Sequence, residues 1–148
     1  MKSTLFIFFL VLLFTGCEVK PQEINYGSDN CQYCNMTIVD RQHASQIVTE
    51  KGRSYKFDAI ECMINYHTEH TDQTVAMYLV NDFKNPGELI DAKTATYLIS
   101  PEIPSPMGAN LSAFHSEQVA QKSQTEYRGK LYEWEALKQY LKEEKLTK

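Results

Sequence analysis

An α+β fold made of two small related units is predicted by this sequence, and three observations carry the prediction. Residues 44–49 alternate loosely between apolar and polar, as do residues 55–57, and the turn Glu50-Lys51-Gly52-Arg53 between them closes a β-hairpin. Ile60, Met63, Ile64 and His67 then recur at helical spacing. Finally, the two halves echo each other. Each has a loop ending in methionine (Met36, Met107), then a histidine (His43, His115), a glycine turn, an aromatic strand, and a helix opening with Phe57-Asp58 or Trp134-Glu135. The units are expected over about residues 30–80 and 88–145, each a hairpin or short antiparallel sheet with a helix.

The N-terminus comes first. Met1 and Lys2 precede an apolar run from Leu5 to Phe14, followed by Thr15-Gly16-Cys17. A charged start, a short apolar segment and small residues before a cysteine form a secretory signal of lipoprotein type, ending at residue 16. The run is shorter than the roughly 20 apolar residues that span a bilayer. Cys17 is the expected lipidation site, holding a soluble domain on the outer side of a bacterial membrane. Residues 17–29, with Pro21, Asn25, Gly27 and Ser28, read as the lipidated tether, and residues 30–148 as the domain.

Within the domain, Asp58 reads as a helix N-cap and Glu61 as its capping-box partner, with the helix running to about Tyr66. Residues 74–80 form the most apolar strand, and residues 81–87 a turn. Residues 89–91 and 96–99 give further strands. Three prolines between residues 101 and 106 exclude regular structure there. Helical pattern returns over residues 116–121; residues 127–132 read as a turn and strand, and residues 134–145 as a final amphipathic helix.

The net charge of −4 becomes one unit more negative when Lys2 leaves with the signal, and no basic cluster exists. Nucleic acid is therefore excluded as a partner. With Cys17 used as the anchor, Cys31, Cys34 and Cys62 remain, an odd number that argues against a pure disulfide framework.

Cys31-Gln32-Tyr33-Cys34-Asn35-Met36 concentrates two thiols and a thioether. Such soft donors select soft ions, above all Cu(I). An extended chain from Cys34 onward would put Cys34 and Met36 on one face. Met107, between Pro106 and Gly108 in an irregular loop, is the distant candidate ligand; Met63 and Met77 fall in periodic apolar segments and read as core. His43, His67, His70 and His115 read as surface or packing residues. A second possibility is zinc. A C-x-x-C knuckle, a hairpin and a helix bearing Cys62 give a treble-clef-like layout, with Cys31, Cys34, Asp58 and Cys62 as three thiolates and a carboxylate. The third is an exported thiol-disulfide oxidoreductase using Cys31 and Cys34.

Lipobox Cys17, Cys31-x-x-Cys34-x-Met36-x-Ile38, Phe57-Asp58-x-x-x-Cys62-Met63 and Ser105-Pro106-Met107-Gly108 before Ala113-Phe114 together resemble the NosL family of copper-binding lipoproteins. The first half is also similar to TRASH and YHS metal modules. The resemblance implies two related α+β units and a non-enzymatic, membrane-anchored periplasmic chaperone. Its cargo would be Cu(I), and its partner nitrous oxide reductase or the machinery that matures it. It places the Cys-x-Met pair on Cys34 and Met36 and the loop methionine on Met107. Cys31 and Cys62 go beyond that pattern.

Overall fold

The structure, a computed structural model, describes residues 18–146. The signal segment and the lipidation expected at Cys17 therefore lie outside the described residues. One seven-stranded sheet runs through the domain in the order β2-β1-β3-β6-β5-β7, with β4 on β3. The strands are β1 (Ser45–Thr49), β2 (Ser54–Phe57), β3 (Val75–Asp82), β4 (Asn85–Asp91), β5 (Thr96–Ile99), β6 (Leu111–Phe114) and β7 (Lys130–Tyr132). The helices are α1 (Ile60–Glu69), α2 (Glu117–Tyr127) and α3 (Trp134–Leu146).

Six of the seven strands form two ββαβ units, and β4 is added on β3. In the first, β1 pairs antiparallel with β2, α1 crosses over, and β3 returns on the other edge of β1. In the second, β5 pairs antiparallel with β6, α2 crosses over, and β7 returns on the other edge of β5. The units meet where β3 and β6 run parallel, at the single register pair Asp82↔Ala113. This topology changes which residues correspond between the halves. Phe57, at the end of β2, matches Phe114 at the end of β6, and α1 matches α2. The helix opening with Trp134, aligned with Phe57 by sequence, is instead an addition after the second unit.

Side-chain alternation puts the helices on opposite faces. Tyr97 packs into the larger core with Ile60, Met63 and Ile64 of α1 and Trp134 and Leu137 of α3. Its neighbour Leu98 points the other way, into a smaller core with Ile103, Phe114 and Ala120 under α2. Thus α1 and α3 share one face and α2 covers the other. The turn into β7 demands glycine at position 129, where φ is +105 and a Cβ would stand 2.2 Å from the Ile99 carbonyl oxygen.

Three expectations are corrected. Residues 22–29 are folded rather than a tether: Ile24 is buried, and the Gln46 side chain accepts from the Gln22 N–H and donates to its carbonyl. Asn81 donates to the Tyr26 hydroxyl, and the Arg41 guanidinium lies over the Tyr26 ring. The cap of α1 is Ala59, with no side-chain cap hydrogen bond, because Asp58 and Glu61 are both drawn into tertiary contacts. By contrast, Ser116 caps α2 through the Val119 N–H. Third, strand β6 is absent from the sequence expectations; all four of its residues are buried, so no period-two polar alternation marks it.

Candidate metal centre

The knuckle around Cys31 is a tight loop closed on itself. The Cys31 N–H donates to the Met36 carbonyl at 2.8 Å, the Asn35 N–H returns to the Cys31 carbonyl at 3.0 Å, and Asn30 bridges Thr37. Asn35 sits at φ +63, the left-handed region that asparagine tolerates. The chain from Cys34 to Met36 is therefore a turn, which removes the extended-strand argument for a shared Cys34–Met36 face. The loop docks on β2 through the Gln32 N–H to the Lys56 carbonyl at 2.9 Å, and through Lys56 Nζ to Asp29 at 2.6 Å.

Docking brings Cys31 and Cys34 against the entry of α1. There, Asp58 precedes the helix and Cys62 lies in its first turn. The ligand atoms of Cys31, Cys34, Asp58 and Cys62 all lie within 4.8 Å of one another. All three cysteines are free thiols. Cys31, Asp58 and Cys62 are buried and Cys34 is half-buried, so the group opens outward on the Cys34 side. The Cys34 thiol donates to Asp58 Oδ1 at 3.5 Å, while Asp58 Oδ2 is buried without a partner. A buried carboxylate oxygen with an unused lone pair costs stability unless a ligand satisfies it.

The electrostatics are uneven. A hydrogen bond from the Cys62 thiol, helped by the backbone N–H groups of Cys34 and Asp58, outweighs burial and lowers the Cys31 thiol to about 6. The same bond, with burial, drives Cys62 far above the ordinary thiol range. Burial, with the nearby Cys31 and Asp58 charges, raises Cys34 to about 11, against a stabilising Met36 N–H. The arrangement favours the thiolate on Cys31 over Cys34 and Cys62. For a dithiol oxidoreductase this is the wrong way round, because attack needs a low-pKa sulfur that is also accessible.

Met36 and Met107 are 52% and 42% exposed, among the few large apolar side chains left in solvent. Met107 faces a cavity of about 350 Å³ that it shares with Cys62, Glu61, Asn65 and Tyr140, so α1 connects the loop methionine to the thiol group. The structure thus gathers Cys31, Cys34 and Cys62 with Asp58, and leaves Met36 and Met107 exposed outside that group. The zinc layout had flagged Asp58, from its place one helical turn before Cys62.

The histidines are engaged elsewhere. His43, 3% exposed, bridges Asp40 and Ser112 at 2.9 and 3.1 Å. His115 leans on buried Asp82, His67 on the Tyr78 hydroxyl, and His70 on the Tyr66 carbonyl. The Asp–His–Ser order at His43 is no hydrolytic triad, since Ser112 is fully buried.

Known proteins resemble this chain over most of its length. The sequence model of the NosL family matches residues 21–141. The copper-binding lipoprotein NosL of Stutzerimonas stutzeri is 27% identical over 157 residues, spanning 96% of this chain and 83% of that relative. Among solved structures, the copper chaperone NosL from Shewanella denitrificans shares the fold with a TM-score of 0.69 at 19% identity, covering 80% of this chain and 95% of that one.

Proposed function

This chain is a member of the NosL family, and from that premise we propose that it is a copper-binding chaperone of the cell envelope rather than an enzyme. Its cargo is Cu(I), lodged among Cys31, Cys34 and Cys62. The observation that carries the reading is that cluster of three unbridged thiols within 4.8 Å, in a chain that also exposes the thioethers of Met36 and Met107. The lowered pKa of Cys31 makes it the sulfur that gives up its proton to an incoming ion most easily. Cys34 lies at the mouth, where incoming and outgoing ions pass. Met36 and Met107 offer neutral, polarizable sulfur at the surface, and neutral ligands exchange more readily than thiolates. Handover then proceeds by stepwise replacement of these donors with a client's own. The client we propose is nitrous oxide reductase or its maturation machinery, with a lipid on Cys17 holding the carrier on the periplasmic side of the membrane.

One observation favours a second occupant. Three thiols and Asp58 make a closed set of four donors, which suits tetrahedral zinc as a structural ion. Anaerobic purification followed by metal analysis separates the readings: copper at about one ion per chain supports the carrier, and zinc without copper supports the structural site. Titration with Cu(I) against a competing chelator completes the test. Binding should be lost in Cys34→Ala and weakened in Met36→Ala. A wild-type protein binding no tighter than Cys34→Ala sinks the proposal.

A further inference from the structure

We propose that Glu61 is a positioning residue for the metal centre, anchoring the loop of residues 105–110 so that Met107 is held over the cavity it shares with Cys62. The inference rests on the reading of Met107 as a cargo ligand. Glu61 is only 6% exposed. Its Oε1 accepts two hydrogen bonds from that loop, from the Ser105 hydroxyl at 2.6 Å and the Ala109 N–H at 3.2 Å. Ser105 in turn accepts from the Asn110 N–H at 3.0 Å through its hydroxyl and from the Gly108 N–H at 3.0 Å through its carbonyl. Together these bonds hold the loop on both sides of Met107, at Ser105 and at Gly108, Ala109 and Asn110, and no strand or helix holds it otherwise. Gly108 at φ +80 and Asn110 at φ +55 supply the left-handed bends that fold the loop back onto the carboxylate.

Glu61 immediately precedes Cys62 on α1, and both line the cavity that Met107 faces. One helical turn therefore carries a buried thiol and the clamp for a thioether from the other half of the sheet. Glu61 Oε2 is buried and unpartnered. Packing alone does not favour such an acid, since a neutral residue would fill the space without the desolvation cost. Neighbours that orient a ligand without touching the ion commonly govern affinity by ten- to a hundredfold.

The test uses the mature chain with Glu61→Ala, Glu61→Gln, Met107→Ala and the double variant Glu61→Ala/Met107→Ala. Cu(I) affinity is measured by chelator competition, and the Met107 methyl is followed by NMR of methionine-labelled protein. Glu61→Ala and Met107→Ala should each weaken binding by roughly tenfold, and the double variant should be no weaker than either. Glu61→Gln should restore affinity, because its amide oxygen accepts the same two bonds. The Met107 methyl resonance should move in Glu61→Ala and return in Glu61→Gln. Multiplying losses in the double variant, or an unmoved methyl, overturns the proposal. If Met107→Ala weakens binding and Glu61→Ala does not, this proposal alone falls. If Met107→Ala binds like wild type, the ligand reading of Met107 falls and takes this one with it. Should Glu61→Ala fail to fold, Ser105→Ala carries the same comparison.

Discussion

Replacing Cys62 with alanine should raise the titration midpoint of Cys31 from about 6 to the ordinary thiol range or above. The hydrogen bond from the Cys62 thiol is the largest influence on Cys31, and burial, the next largest, pushes the opposite way. Holding a thiol near 6 rather than 9.0 corresponds to about 4 kcal/mol of preference for the thiolate. With the donor gone, burial dominates what remains, and the midpoint should climb by about three units or more, to 9.0 or above. At pH 7 the Cys31 sulfur would pass from about nine-tenths thiolate to a few per cent or less. Proton competition alone would then cost roughly a hundredfold in apparent Cu(I) affinity, before counting the lost Cys62 donor. The sign for stability follows. A group whose folded pKa is depressed stabilises the fold fully above its unfolded value near 9.0, and this contribution disappears as pH falls through about 6. The assay is thiolate ultraviolet absorbance against pH, with the earliest-titrating cysteine identified by alkylation and mass spectrometry. If Cys62→Ala leaves a thiol titrating near 6 at Cys31, the Cys62 bond is not what holds the charge and the electrostatic account of the centre is wrong.

Other expectations are reached more simply. Asp58→Asn removes a charge that helps raise Cys34, so Cys34 should titrate below about 11 and alkylate faster in a pH series; an unchanged rate counts against contact between the two. Although burial pushes the Asp40 carboxyl up, the His43 ring, the Gln42 N–H and the His43 charge together hold it below its ordinary value. Its stabilising contribution is thus present above the usual carboxylate range and lost as pH falls through the lowered value. Asp40→Ala, which leaves buried His43 short of a partner, should cost about 1–3 kcal/mol in denaturant unfolding at neutral pH, and a cost near zero refutes this role. Gly129→Ala forces a Cβ to 2.2 Å from the Ile99 carbonyl oxygen at a left-handed φ, so it should destabilise by more than about 3 kcal/mol. Wild-type unfolding in that variant would mean that β7 leaves the sheet edge without penalty.

Local chemistry made much of the fold legible. The hairpin of β1 and β2, strand β5 and helix α3 follow from period-two or helical spacing bounded by turn residues. The knuckle and Cys62 were legible as a metal layout because C-x-x-C, hairpin and helix cysteine fix one another's geometry. Partners chosen at long range were not legible. Asp58 and Glu61 carry a capping-box signature, yet one turns to Cys34 and the other to Ser105, 44 residues away. The bend at Asn35 was hidden because residues 35–39 have the composition of a strand, and only the closed backbone bonds of Cys31 reveal the turn. Residues 22–29 look like linker by composition, but their main chain finds Gln46, Ile38 and Lys56.

The joint between the two ββαβ units has a consequence for how such a carrier diversifies. Every member of the thiol group comes from residues 31–62 of the first unit, while Met107 arrives from the second, across a seam with a single strand register pair. In the proposed carrier the thiols are thus confined to one half of the chain, and the other half contributes a single thioether. On the proposed reading, changes in the 101–110 loop or in α3 would retune release at a graded cost in affinity while leaving the thiol group itself intact. On the same reading, damage to the knuckle would end carriage, whatever the other half has become.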